Sequence, residues 1–117
     1  MSKNGSLIAS KILVVDDEGD IRDLVSGILA DEGYETRSAG DSETALAAVR
    51  ARRPQLVILD IWLQGSKLDG IQVLDVIKRE QPDLPVVMIS GHGTVETAVA
   101  SIKKGAYDFV EKPFKAD

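Results

Sequence analysis

The sequence predicts an α/β protein built on an open, parallel sheet with helices against its faces. Three observations lead there. Short runs of β-branched and Leu residues recur without polar alternation, as in Ile12-Leu13-Val14-Val15, Leu56-Val57-Ile58-Leu59 and Val86-Val87-Met88-Ile89. Strands that read this way are covered on both faces, which is the habit of parallel sheets. Between the runs lie stretches whose apolar residues repeat at helical spacing. Breaks at Gly33, Pro54, Pro82 and Pro85 separate the two kinds of segment.

Residues 1–10 have a polar Gly/Ser start and no clear period, so they read as a leader or expression remnant in which Leu7 and Ile8 alone could pack. The first strand then ends at Val15. Ile21, Leu24, Val25, Ile28 and Leu29 form one face of a helix that Gly33 terminates. Tyr34 to Ala39 is a weaker second strand. Asp41 or Ser42 can cap a helix bearing Ala45, Leu46 and Val49, and Pro54 stops it before the third strand, which ends at Asp60. After a polar loop, Ile71, Leu74 and Ile77 mark the next helix, and Val86 to Ile89 the fourth strand with Ser90 at its end. Thr94 can cap a helix through Val95, Ala98 and Ile102 that closes at Lys103-Lys104-Gly105, where cations and a glycine suit a C-terminus. Tyr107 to Glu111 is the last strand. The chain stops at Lys115-Ala116-Asp117, where another helix would begin, so the final helix of the pattern is missing or truncated. Right-handed crossovers and short connections favour a flavodoxin-like, doubly wound five-stranded sheet of strand order 2-1-3-4-5. That order makes the first and third strands neighbours.

The 117 residues are enough for one core, at a size where folding buries roughly two-thirds of the unfolded surface. There is no cysteine, which excludes disulfides and thiolate metal sites, and one histidine leaves too few nitrogen ligands for zinc. A net charge of −5 argues against direct nucleic-acid contact by these residues. No apolar stretch approaches the roughly 20 residues of a membrane span, and the start of the chain lacks a signal-peptide core. These features predict a soluble, cytoplasmic protein.

Two apolar strands ending in acids, Val15 before Asp16-Asp17 and Leu59 before Asp60, bring negative charge to the edge of the sheet where ligands bind in such folds. Crowded carboxylates repel, and a hard cation with oxygen ligands is the usual remedy, so Asp16, Asp17 and Asp60 are read as a Mg²⁺ pocket. A carboxylate can take a phosphoryl group when its charge is neutralised and the reactants are aligned, which makes Asp60 the candidate nucleophile. Lys112, just after the last strand and before Pro113, can supply a positive charge to Asp60 or to a phosphoryl oxygen, and the Ser90 hydroxyl can donate to the same oxygen.

In this order, Asp16-Asp17, Asp60, Ser90 and Lys112-Pro113-Phe114 resemble the receiver domain of two-component response regulators, over Ile12 to Phe114. The segments from Leu59 to Gly70 and from Ile89 to Gly93 look most like the nitrogen-related NtrX group of the NtrC class. The resemblance implies a CheY-like receiver domain over residues 11–117, in which Asp60 accepts a phosphoryl group from a sensor histidine kinase and Asp16 and Asp17 bind Mg²⁺. It further implies that the Trp62 carbonyl completes the metal shell, that Ser90 and Phe109 are the switch pair, and that Lys112 is the family's lysine. It implies a homodimer face on the helix 94–105 and the last strand, and, in a longer parent protein, control of transcription.

One departure lies beside the site. Receivers commonly carry Met-Pro soon after the phosphoacceptor and a nearer glycine, whereas here Leu63-Gln64 stands in that place and Gly70 follows later, so the loop after Asp60 is longer. Trp62 and His92 each lie two residues beyond a key position, and their bulk is expected to hinder water and slow loss of the phosphoryl group. Simpler readings stand beside these. Asp16-Asp17 alone reads more readily as a helix-capping pair, Ser90 as the start of a turn, Lys112 as a surface lysine and Phe109 as core. Gly91-His92-Gly93 is a weak phosphate-loop signal, with no third glycine and no following lysine. Two other functions remain in view: a degenerate receiver that binds partners without phosphorylation, and a Mg²⁺-dependent phosphohydrolase using Asp60. The latter lacks an evident acid or base at Ile61-Trp62, which favours a stoichiometric acceptor over a turnover enzyme.

Overall fold

The computed structural model describes residues 10–91 and 95–112. Most of the leader, His92, the Thr94 cap, Pro113, Phe114 and the end of the chain lie outside the described residues. Among the described residues nine elements alternate: β1 (Lys11–Val15), α1 (Gly19–Asp31), β2 (Glu35–Ala39), α2 (Ser42–Ala51), β3 (Leu56–Asp60), α3 (Gly70–Glu80), β4 (Val86–Ser90), α4 (Val95–Lys103) and β5 (Asp108–Glu111). The five strands pair in parallel in the order β2-β1-β3-β4-β5, the flavodoxin-like order the sequence predicts.

Side chains of a strand point to alternate faces, and here the alternation divides two cores. Leu13, Val15, Val57, Leu59, Val86 and Met88 join α2 and α3 residues such as Leu46, Val49, Val73, Leu74 and Ile77 in the larger one. Ile12 and Val14 meet Val25 of α1 on the other face, with Leu29, Leu56 and Ile58 packed around them. That second face is less covered among the described residues: Val25, Ile28, Leu29, Ile58, Val87, Ile89 and Val110 line an open groove of about 280 Å³. Lys104 ties α4 to α3 through Asp75 at 3.1 Å.

The helix ends follow their chemistry. Asp41, the N-cap of α2, accepts from Thr44 N–H at 2.8 Å, which holds the Asp41 carboxyl below its ordinary range. Asp69 and Gln72 form a full capping box at the start of α3. Gly33, at φ 95°, takes the left-handed turn after α1 while Gly33 and Tyr34 N–H satisfy Ala30 and Leu29 carbonyls. Asp16-Asp17 does not cap α1; its N-cap is Glu18, whose side chain makes no capping bond.

Candidate functional site

Val15 pairs with Leu59, so Asp16 and Asp60 emerge level with each other at the carboxyl ends of neighbouring strands. Each is pulled inward by the apolar run that precedes it. Asp16 is fully buried and Asp60 only 3 % exposed. Two buried carboxylates side by side need a compensating charge, and Lys112 provides it. The Lys112 N–H donates to the Ser90 carbonyl at 2.8 Å, so the strand ladder fixes where its side chain starts. Its Nζ then lies 2.8 Å from Asp16 Oδ2, 3.2 Å from Asp60 Oδ2 and 3.6 Å from Glu18 Oε1.

The remaining oxygens have backbone partners. Asp60 Oδ1 accepts from Trp62 N–H at 3.3 Å and Asp16 Oδ1 from Glu18 N–H at 2.9 Å. Arg22 Nη1 donates to the Asp16 carbonyl at 2.6 Å and steadies the turn after β1. Burial first, and the neighbouring Asp16 charge second, push the Asp60 carboxyl up from 3.8 to about 6, against the opposing pull of Lys112 and the Trp62 N–H. Burial pulls the Lys112 ammonium down, but Asp16 and Asp60 together outweigh it and the group is held above its ordinary value. Lys112 therefore stays charged at any neutral pH.

These groups face an open cleft of about 190 Å³ lined by Asp17, Glu18, Asp60, Trp62, Gln64, Gly91 and Lys112. Its donors fit Mg²⁺: they are hard carboxylate oxygens, and an oxygen from each of Asp16, Asp17 and Glu18 lies within 4.8 Å of the others. A further sign is Asp16 Oδ2, which among the described residues is buried without an aligned hydrogen bond and is met by the Lys112 charge. Ser90 is buried at the end of β4, one residue beyond the Asp60–Ile89 pair. Phe109 pairs with Met88 on the next strand and is half-buried against the larger core. The structure thus brings Asp16, Asp17, Asp60, Trp62 and Lys112 together, with Ser90 beside them and Phe109 further along the sheet. Glu18, Gln64 and Gly91 join the site without having been singled out for it from sequence. Glu18 carried only the signal of a third consecutive acid.

The longer loop after Asp60 is well held. Ile61 and Leu63 enter the core, and the Ile61 carbonyl accepts from Gly70 N–H at 2.7 Å. Gly65, at φ 76°, completes a turn in which Ser66 N–H donates to the Leu63 carbonyl at 3.2 Å. Trp62, 45 % exposed, is left standing at the wall of the cleft.

A five-stranded parallel sheet with two strand-end acids bridged by a lysine defines the receiver class of signalling domains. The response regulator receiver domain model matches residues 12–117, and the chain belongs to that family. Its relatives include the nitrogen assimilation regulatory protein NtrX of Azorhizobium caulinodans, 67 % identical over 110 residues that make up 94 % of this chain and 24 % of that protein. The crystal structure of the receiver domain of NtrX from Brucella abortus superimposes with a TM-score of 0.87 at 71 % identity, covering 91 % of this chain and 88 % of that one. The beryllofluoride-activated NtrC4 receiver domain dimer, a solution structure, matches with a TM-score of 0.83 at 43 % identity, over 90 % of this chain and 85 % of that chain. The chain spans about a quarter of the length of the curated NtrX relatives it matches.

Proposed function

We propose that Asp60 is the phosphoacceptor of this receiver domain and that a sensor histidine kinase is its donor. The observation that carries the reading is a buried strand-end carboxylate, open to a cleft on one side and paired with the Lys112 ammonium at 3.2 Å on the other. An Asp60 carboxylate oxygen attacks the phosphorus of the kinase's phosphohistidine. A P–O bond forms as the P–N bond breaks, and the imidazole leaves with the bonding pair and takes a proton from water. Lys112 and the Ser90 hydroxyl meet the transferred phosphoryl oxygens, and Phe109 shifts with Ser90 to carry the change toward α4 and β5.

Asp16, Asp17 and Asp60, with the Trp62 carbonyl, would hold Mg²⁺, whose charge neutralises the phosphoryl oxygens during transfer. Glu18 lies near enough to share in that set or to hold one of its waters. The domain acts once per phosphoryl group, as a stoichiometric acceptor rather than a turnover enzyme. In a longer parent protein of the NtrX kind the output would be nitrogen-related transcription control in the cytoplasm. Among the described residues no helix is long and apolar enough to cross a membrane.

Intact-protein mass spectrometry after incubation with acetyl phosphate and Mg²⁺ tests the reading. One phosphoryl addition is expected, abolished by EDTA and by Asp60→Asn. No addition to a folded protein would point instead to a degenerate, phosphorylation-independent binding module. Sustained release of phosphate from a generic phosphomonoester would point to a hydrolase.

A further inference from the structure

The loop that separates β3 from α3 is tied to the start of α2 by Ser42, which bonds both Ser66 and Leu68. The Ser42 N–H, one of the amides that a helix start leaves without an internal partner, donates to Ser66 Oγ at 2.8 Å. In return, Ser42 Oγ accepts from the Leu68 N–H at 3.2 Å. Ser42 is 1 % exposed, so neither bond at its end is readily exchanged for water. The loop is thus held at both of its inner corners by one residue of another element. Between Asp60 and this clamp, Ile61 and Leu63 are anchored in the core, and the residues left to face the cleft are Trp62 and Gln64.

We propose that Ser42 is a positioning residue for the phosphorylation site: the Ser42–Ser66 clamp holds the Trp62–Gln64 segment against Asp60 as a fixed wall of the cleft. The wall governs how readily water reaches the phosphorylated carboxylate. This rests on Asp60 being the phosphoacceptor, but the clamp also has a signature that needs no phosphorylation. Trp62 is the chain's single tryptophan, so its fluorescence reports the wall directly.

The test compares wild type with Ser66→Ala, Ser66→Thr, Ser42→Ala and the double alanine variant. Acrylamide quenching of Trp62 is read without donor or metal, and the lifetime of the phosphorylated protein is read after acetyl phosphate and Mg²⁺. Ser66 is half-buried in a loop, so Ser66→Ala removes one hydrogen bond without disturbing the core. Ser66→Ala is expected to raise the quenching constant and to shorten the lifetime about threefold to fivefold, the effect of losing one hydrogen bond. Ser66→Thr, which keeps the hydroxyl, should behave as wild type. The double variant should not exceed the larger single effect by much, because the two serines act as one device. Trp62→Ala, which removes the wall, marks the largest lifetime change available. Quenching and lifetime both unchanged in folded Ser66→Ala would overturn the proposal, as would equal effects from the threonine. If wild type accepts no phosphoryl group, the phosphoacceptor reading fails, and the clamp stands or falls on the quenching alone.

Discussion

Asp60 sits where a carboxylate is costly. It is almost fully buried, Asp16 lies beside it, and the resulting upward shift to about 6 describes a folded state that prefers the proton. The sign follows from linkage. A carboxyl whose folded value lies above its unfolded value of 3.8 stabilises the fold fully below that unfolded value, and the contribution is lost as pH rises through about 6. Asp60→Asn, which keeps the shape and removes the charge, should therefore stabilise the metal-free protein at pH 8 by about 1–3 kcal/mol. The gain should shrink as pH falls through 6 and vanish near 4. Urea unfolding in EDTA at several pH values checks this, and a pH-independent difference would refute it. Lys112 keeps Asp16 and Glu18 as partners in the variant, so no buried cation is orphaned.

At the scale of elements, the junction of β3 and α3 turns on Gly70. A Cβ placed there would fall 1.9 Å from the Asp60 carbonyl oxygen and 2.7 Å from Ile61 Cα. Its backbone angle is ordinary, so the demand is for space at a close approach rather than for a left-handed turn. Both obstacles are backbone, and neither can step aside as a side chain would. Gly70→Ala should force the start of α3 away from the end of β3 and cost about 2–4 kcal/mol in denaturant unfolding. A loss below about 1 kcal/mol would mean that the junction is softer than its geometry implies.

The same junction marks how far the sequence could be read. Strand-end acids such as Asp16 and Asp60 were legible because an uninterrupted apolar run before each announces both the strand and its end. The sheet order was legible because short parallel crossovers leave few topologies. Helix starts were legible where local chemistry decides, as at Asp41, whose partner Thr44 is three residues away. Ser42 and Ser66 were not, because they are 24 residues apart and the periodicity of neither segment refers to the other. Glu18 was missed for a related reason. Its carboxylate joins the site through the tightness of the turn after β1, and three consecutive acids look alike until that turn is drawn.

At the scale of the whole molecule, the apolar surface is unevenly distributed. On α4 and in the turn before β5, Val95 is 79 % exposed, Val99 46 %, Ile102 47 % and Tyr107 76 %, four of the eight exposed large apolar side chains among the described residues. An exposed apolar patch of this kind marks an interaction surface. It lies one strand away from Ser90, since β5 pairs with β4 at Ser90–Glu111, so a change at the phosphorylation site needs to cross a single strand pairing to reach it. A self-complementary dimer is the simplest assembly for such a face, and a small shift in α4 could favour or oppose it. Sedimentation velocity with and without acetyl phosphate should show the phosphorylated protein dimerising more strongly than the unmodified one. Ile102→Glu, which places a carboxylate in the middle of the patch, should return the phosphorylated protein to monomer while leaving the mass addition at Asp60 intact. Dimerisation unaffected by Ile102→Glu would place the contact elsewhere, with the open groove between α1 and the sheet as the next apolar surface to probe.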